Sequence, residues 1–586
     1  MNTFDIVIEI CGSAGEGTIS AGEILARFMS SQGYEIMSFD SYPAEIRGFG
    51  KCVAHTRVNL NPIYSPGKYA DVLIALNDKH AISQLGFLKP DGILIYDNQP
   101  ASFHEEDQSV AGMAEPGVTL YGIPLTQLAH EAAGNSRGRN MVSLGAMACL
   151  MEIPKDDFVT AIQNRYALKK QIIIDNNIDS FVLGYNWTGE NIKKIDEYTF
   201  KGTEPAPPED KLIINGNQSV ARAAIDSNIS FYAGYPITPA TKIMEIMGKE
   251  LPKTGGIMLQ TEDEISAIGA VIGAGFGGKR AMTATSGPGF SLMTEFTGLA
   301  VMSEIPAVIV NSMRGGPCTG LPTKTEQSDF NIAVAGGHGD APRIVLAPVD
   351  TTDCYEATAL AFYLAEKYQT LVVLLLDFFL SNSIRNIDVP KPINPSFLSA
   401  NIAPEPDQLN GYQRYRITGS GISPRTIPGT PDGMYFSTGL EHDENGRPAY
   451  DSDTHEKMTR KRFVKHGNAL DEAPDVVISG DDGDLDIGVI SWGSSAGAAR
   501  EAVDAARAEG IKAASFSSIM ISPFPEEKLK VFADRCNTLL VPELNFTGQF
   551  ADFIINFLQR PVVKLNFVTG LPMASEDILE KMRELR

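Results

Sequence analysis

Three short apolar runs, Ile229 to Ala233, Ala281 to Thr285 and Ala307 to Asn311, constrain this chain's fold more than any other feature. Each has the length and composition of a buried strand, and each ends in a turn of unusual chemistry. The first turn is Tyr235-Pro236-Ile237-Thr238-Pro239, the second is Ser286-Gly287-Pro288-Gly289, and the third opens with Arg314-Gly315-Gly316. Helix-forming stretches separate the runs. Strand, turn and helix in repetition pack as an open parallel α/β sheet, and such sheets bind ligands beyond the carboxyl ends of their strands. The stretch from Phe231 to Arg314 therefore reads as half of an active site.

Between the first two turns lies Glu264, at the start of a helix rich in Ala and Gly. Small residues let another backbone or a flat ligand come close, and a carboxylate in such dry surroundings can hold or share a proton. Thr261 and Glu264 also have the spacing of a capping box, which would make the glutamate a helix-start residue only. Local pattern leaves both readings open. Arg314 offers the planar fork that captures carboxylates, against the ordinary fate of a solvated arginine. Thr238 stands in a segment stiffened by Pro236 and Pro239.

A chain of 586 residues exceeds what one core can serve. Strand–helix alternation recurs in three blocks, giving an α/β fold of three parallel-sheet domains. The expected divisions are 1–188, a Pro-rich linker 189–210, 211–390, a Gly- and Pro-rich extended region 391–475 without apolar periodicity, and 476–586. The first block opens with a strand over 4–10, then Gly12-Ser13-Ala14-Gly15-Glu16-Gly17 and a helix. That geometry suits a phosphate, yet the spacing is not that of the dinucleotide fingerprint, so a tight strand-to-helix turn is favoured over an NAD-linked dehydrogenase. The net charge of −23 argues against nucleic acid or an anionic membrane surface as partner. No run is long enough to span a bilayer and the first residues lack a signal-peptide pattern, so a cytoplasmic protein is expected. Six cysteines, Cys11, Cys52, Cys149, Cys318, Cys354 and Cys536, stand singly without metal-site spacing. The run Glu441-His442-Asp443-Glu444 is a poor chelate because adjacent side chains point apart.

Taken together, Tyr235-Pro-Ile-Thr-Pro239, Glu264 before its glycine–alanine helix, Thr285 to Gly289 and Arg314 to Thr323 resemble the α subunit of 2-oxoacid:ferredoxin oxidoreductases. The block up to residue 188 is similar to that family's γ subunit, with GSAGEG for the usual GxGGQG and Glu45 to Gly50 for a usual RGG. The last hundred or so residues resemble a transketolase C-terminal domain. The resemblance implies a thiamine-diphosphate enzyme that oxidatively decarboxylates a 2-oxo acid with coenzyme A and passes electrons to ferredoxin. The 2-oxoglutarate branch is favoured over pyruvate or branched-chain acids. It also implies roles. Glu264 would contact the aminopyrimidine; Ser286, Gly287 and Pro288 would line its pocket; Tyr235, Pro236, Ile237, Thr238 and Arg314 would bind the substrate, with Arg314 and Thr238 on its carboxylate. Thr319, Thr323 and Lys324 would meet a second carboxylate. Mg²⁺ and a [4Fe–4S] cluster would reside on a β subunit, in an (αβ)₂ assembly. A non-catalytic scaffold role is the remaining alternative.

Overall fold

The computed structural model describes residues 4–43, 50–99, 109–205, 207 and 210–586. The chain forms two compact units, Met1–Ile213 with Ser383–Val389, and Ile214–Asn382 with Pro390–Arg586.

The first unit is built on an eight-stranded sheet. Its strands run, edge to edge, Thr119–Ile123, Leu88–Asp97, Ala70–Ala75, Asp5–Ser13, Lys51–Asn59, Glu35–Ser41, Ile384–Asp388 and Lys211–Ile214. The strand expected over 4–10 is present as Asp5–Ser13. The first four are parallel. Beyond Asp5–Ser13 the pairing turns antiparallel; Glu35–Ser41 and Lys51–Asn59 are joined by a connection too short for the crossover that a parallel pair needs. Ile8, Ile10, Val72, Ile74, Ile93 and Ile95 face a helical layer containing Leu25, Phe28, Met141 and Phe181. Two helices of that layer, Arg139–Leu150 and Gln171–Asn191, cross closely. A Cβ at Gly145 would stand 2.1 Å from the Phe181 carbonyl oxygen, and one at Gly184 2.2 Å from that of Val142. The segment read as a linker is held down. Phe200 packs edge-on against Phe4 and Tyr34, and the hydroxyls of Tyr34 and Thr203 are hydrogen-bonded. Of the Glu45 to Gly50 motif only Gly50 lies within the described residues; its carbonyl accepts from the Ala14 N–H at 2.9 Å.

The second unit holds two sheets. The seven-stranded one runs Met520–Ser522, Ile344–Leu346, Leu371–Asp377, Ala307–Met313, Ala281–Thr285, Phe231–Gly234 and Ile257–Gln260. It is parallel except for Met520–Ser522. The three strands read from sequence are thus neighbours, with Thr285 opposite Asn311. The five-stranded sheet runs Val477–Gly480, Ala513–Ser517, Leu485–Ser491, Cys536–Glu543 and Val563–Asn566, parallel but for the first. One apolar cluster joins the two sheets through Phe330, Trp492, Phe524 and Phe550, with Phe330 edge-on to Trp492 and to Phe550.

The region from 391 to 475 is an ordered excursion packed on the seven-stranded part. Arg414 Nη2 donates to the Glu304 carbonyl at 2.7 Å, and Arg425 Nη1 to that of Gly275 at 2.7 Å. It includes a helix the sequence reading missed, Ser452–Gly467, whose buried residues are Met458, Lys461, Arg462 and Lys465. Lys461 and Lys465 both grip Glu304, at 2.6 to 2.8 Å. Among the described residues no helix is long and apolar enough to cross a membrane.

Candidate active site

Glu264 is the first residue of the helix Glu264–Phe276. The helix is capped by Asp263, whose carboxylate accepts from the Ser266 N–H at 2.7 Å, while Thr261 Oγ1 donates to the Asp263 carbonyl at 2.9 Å. This corrects the capping-box reading of Thr261 and Glu264. Asp263 has the extended backbone that a cap requires (φ −157°, ψ 179°), so Glu264 lies one step inside the helix and is released from capping. Its side chain is buried, 7% exposed, and has no hydrogen-bond partner and no cation within 4.0 Å among the described residues. The free N–H groups of the helix start favour a negative charge there.

The second turn closes over this carboxylate. A Cβ at Gly289 would come within 2.5 Å of Glu264 Oε1 and 2.2 Å of Thr285 Oγ1. Only glycine at 289 allows the glutamate and the turn to share this space. Ser286 Oγ, Thr283 Oγ1 and Asn311 Oδ1 are buried with no hydrogen-bond partner among the described residues, and each such orphan costs about 1–3 kcal/mol.

Arg314 follows the strand Ala307–Met313 and is 7% exposed. Its Nη1 donates to the Thr238 carbonyl at 2.8 Å, which ties the third turn to the first. Nε has no partner, and no carboxylate lies within 4.0 Å of the guanidinium among the described residues. Burial lowers its pKa, and the more distant charges of Asp329 and Glu264 oppose that shift. The first turn is held from below by Asn217, a fully buried residue whose Nδ2 donates to the Pro239 carbonyl at 3.0 Å. Asn217 sits inside the helix Gly216–Asp226, which Asn215 caps with Gln218. The structure thus gathers Glu264, Thr238, Arg314 and Ser286 to Gly289 at neighbouring strand ends.

Other residues singled out from sequence are more scattered. Tyr235 is 41% exposed, Pro236 is exposed beside it, and Ile237 is half-buried against the core. Thr319, Thr323 and Lys324 share the loop after Arg314, which folds back on itself. Gly315 N–H donates to the Lys324 carbonyl at 3.0 Å, and Leu321 N–H to that of Gly315 at 2.8 Å. Thr319 is on its exposed outer bend, Thr323 is buried, and the Lys324 stem lies against Gly570.

Three residues went unnoticed in the sequence. Asn311 and Asp329 are paired at 3.0 Å. Gln327 stitches the Arg314 loop to the five-stranded sheet: its N–H donates to the Leu544 carbonyl at 2.7 Å and its Nε2 to that of Trp492 at 3.0 Å. Asn311 alone carried a signal, being an amide inside an otherwise apolar strand.

In the first unit, the Gly12 to Gly17 turn is occupied by its own glutamate. Glu16 accepts from the Ser13 N–H at 2.6 Å and is ion-paired with Arg139 at 2.7 Å, as suits a tight turn. The Glu441 to Glu444 run is dispersed among separate partners. Glu441 pairs with Arg462, Asp443 accepts from Asn445 and Arg447, and Glu444 accepts from the Ile417 N–H.

Comparison with known proteins bears on the family. Residues 222–461 match the family described as "Pyruvate flavodoxin/ferredoxin oxidoreductase, thiamine diP-bdg". Residues 7–187 match "Pyruvate ferredoxin/flavodoxin oxidoreductase", and 486–576 match "Pyruvate:ferredoxin oxidoreductase core domain II". The chain is 30% identical to 2-oxoacid:ferredoxin oxidoreductase 2, subunit alpha, of Aeropyrum pernix, over 99% of this chain and 98% of that one. It is 30% identical to the 2-oxoglutarate oxidoreductase subunit KorA of Mycobacterium tuberculosis, over 98% and 90% of the two chains. Among solved structures it is similar to the 2-oxoglutarate:ferredoxin oxidoreductase of Magnetococcus marinus, solved with 2-oxoglutarate, coenzyme A and succinyl-CoA bound. The TM-score is 0.92, with 37% identity over 99% of each chain. Likeness of this extent, from end to end and in all three sheets, makes the chain a member of the 2-oxoacid:ferredoxin oxidoreductase family, as an alpha subunit.

Proposed function

We propose that this alpha subunit acts on 2-oxoglutarate, converting it with coenzyme A to succinyl-CoA and CO₂ while two electrons pass to ferredoxin. The observation that carries the site assignment is the presence, in one place, of a buried carboxylate, Glu264, and a buried arginine, Arg314, neither of which has an ion pair among the described residues. The substrate assignment is supported by the 2-oxoglutarate named for the Mycobacterium and Magnetococcus relatives.

The residues present fit thiamine diphosphate. Gly289 leaves the Glu264 carboxylate bare on the face of the turn, and Ser286 Oγ and Asn311 Oδ1 are unsatisfied polar atoms at its rim. Bound there, the cofactor supplies the carbon nucleophile and the electron sink that decarboxylation needs. Glu264 holds the proton at the aminopyrimidine N1′, and Ser286, Gly287 and Pro288 line that ring. Arg314 takes the 2-oxo acid's carboxylate on its free guanidinium edge, helped by Thr238, so that the bond to be broken is fixed in a dry site. Thr319, Thr323 and Lys324 receive the second carboxylate. Tyr235, Pro236 and Ile237 form the wall between.

The Mg²⁺ and the [4Fe–4S] cluster are assigned to a β subunit, in an (αβ)₂ assembly located in the cytoplasm. Support for such a partner comes from apolar side chains left exposed next to each site element: Tyr235, Ile257, Leu259, Ile265, Leu292 and Leu321, at 41–62% exposure. Ile257 and Leu259 belong to an edge strand, where exposed apolar residues mark a surface meant to be covered. The division at residues 188, 210, 390 and 475 remains our proposal for the functional segments.

The test is purification with the co-expressed partner. An iron–sulfur absorbance should bleach on addition of 2-oxoglutarate plus coenzyme A, and more slowly with pyruvate or branched-chain 2-oxo acids. Absence of bleaching with any acid in the panel would remove the assignment. Faster bleaching with another acid would move the substrate.

A further inference from the structure

Asp329 immediately precedes the helix Phe330–Ala335 but makes no side-chain capping bond to it. Its carboxylate turns instead toward the ends of the strands Ala281–Thr285 and Ala307–Met313. Asn311 Nδ2 donates to Oδ2 at 3.0 Å. Both carboxylate oxygens lie over Gly287, where a Cβ would stand 2.8 and 3.0 Å from them. This explains glycine at 287. The backbone carrying Asp329 is fixed by its neighbour but one: besides its own two donations, Gln327 accepts from Leu544 N–H at 3.1 Å and from Asn545 Nδ2 at 3.0 Å. The charged groups facing the carboxylate are Glu326, from the loop, and Arg314, from the end of its strand. Arg314 in turn faces Glu264. An acid held by Asn311 and packed on Gly287 is therefore near enough to the arginine for its charge to be felt, and beyond the 4.0 Å of an ion pair.

We propose that Asp329 is a positioning residue for the substrate-binding arginine. Its charge sets how strongly Arg314 attracts an anionic substrate, and its contact with Gly287 fixes the Ser286 to Gly289 turn beside it. The proposal rests on the reading of Arg314 as the ligand of the 2-oxo acid's carboxylate. A neutral Asp329 leaves the guanidinium charge undivided, whereas an ionised one shares it and repels the substrate. Burial pushes the Asp329 carboxyl up from its ordinary range, opposed by the Asn311 hydrogen bond. Substrate binding should therefore weaken as pH rises and Asp329 ionises.

The test compares variants in the co-expressed complex, following KM and kcat for 2-oxoglutarate across pH. Asp329→Asn keeps an acceptor for Asn311 and removes the charge. It should lower KM by about three- to tenfold at the alkaline end, flatten the rise of KM with pH, and change kcat less than KM. Asn311→Leu removes the hydrogen bond that favours the ionised form, so the midpoint of the KM profile should move to higher pH. It serves also if Asp329→Asn fails to fold. A wild-type pH profile in either variant overturns the proposal. Arg314→Lys separates the two readings: if it leaves KM unchanged, the arginine assignment itself is wrong, whereas a raised KM with an unaltered Asp329→Asn profile rejects only the role of Asp329.

Discussion

Glu264 and Glu304 are both buried in the second unit, 7% and 1% exposed, and their surroundings differ in every respect. Glu304 receives Lys461 on both oxygens and Lys465 on one. Burial would raise its pKa, but the charges of Lys461, Lys465 and Arg414 overcome that and hold the carboxyl well below the usual range. Glu264 has no such partners among the described residues. A buried charge matched by its own chain serves the fold, because removing one member strands the others. A buried carboxylate left unmatched among the described residues, near an arginine with no ion pair there, is what our proposal assigns to a guest. The difference separates structure from function more sharply than burial or residue type does.

The largest expected effect follows from removing the unmatched charge. Glu264→Gln in the co-expressed complex should cut turnover by about 10²–10⁴-fold, with the unfolding midpoint nearly unchanged; turnover close to wild type would reduce the subunit to a scaffold. Glu304→Gln should do the reverse. Two lysines left without their counter-ion should cost about 3–5 kcal/mol in chemical denaturation of the second unit, while activity per folded molecule stays near normal.

A pH test probes the structural side of the comparison. His466 lies one residue beyond Lys465, and burial lowers its pKa to about 4. It is neutral when folded and titrates at its ordinary value when unfolded. Its contribution is thus complete above about pH 6.5 and is lost as pH falls toward 4, up to about 3 kcal/mol. Replacement by Gln should remove that part of the acid sensitivity, measured as the unfolding midpoint against pH. On the functional side, Arg314→Lys keeps the charge and loses the fork, so KM for the 2-oxo acid should rise about 10- to 100-fold. The smallest effect is expected at Lys324. Its change to Ala should narrow the preference for 2-oxoglutarate over 2-oxobutyrate by about tenfold, and an unchanged preference would clear Lys324 of that role.

What the sequence disclosed follows the same division. Strands such as Ala307–Met313 and Leu371–Asp377 are buried along their whole length and read as apolar runs, so the sheets were legible. The helix Ser452–Gly467 was not. Its inward residues Met458, Lys461, Arg462 and Lys465 recur at helical spacing, but three are cations whose burial depends on Glu304 and Glu441, distant in sequence. Glu264 and Arg314 were legible as chemistry at strand ends, although the competing cap could be dismissed only once Asp263 was seen to fill it. Asp329 was hidden for a related reason. Aspartate before Phe-Asn-Ile-Ala reads as an ordinary helix start, and only the position of Gly287 reveals where its carboxylate goes.

One strand has consequences for how the protein is made. Ile384–Asp388 pairs with Glu35–Ser41 in the first sheet, and Asn386 bonds both the Ile36 N–H and the Tyr34 carbonyl. At roughly 5–20 residues per second on the ribosome, the roughly 340 residues between Ser41 and Ile384 take on the order of 20–60 s to emerge. For that interval the outer edge of Glu35–Ser41 has no partner from its own unit, and an open strand edge recruits strangers. A gene cut after residue 213 would make the delay permanent, so the first unit expressed alone should self-associate unless residues 383–389 are supplied back to it.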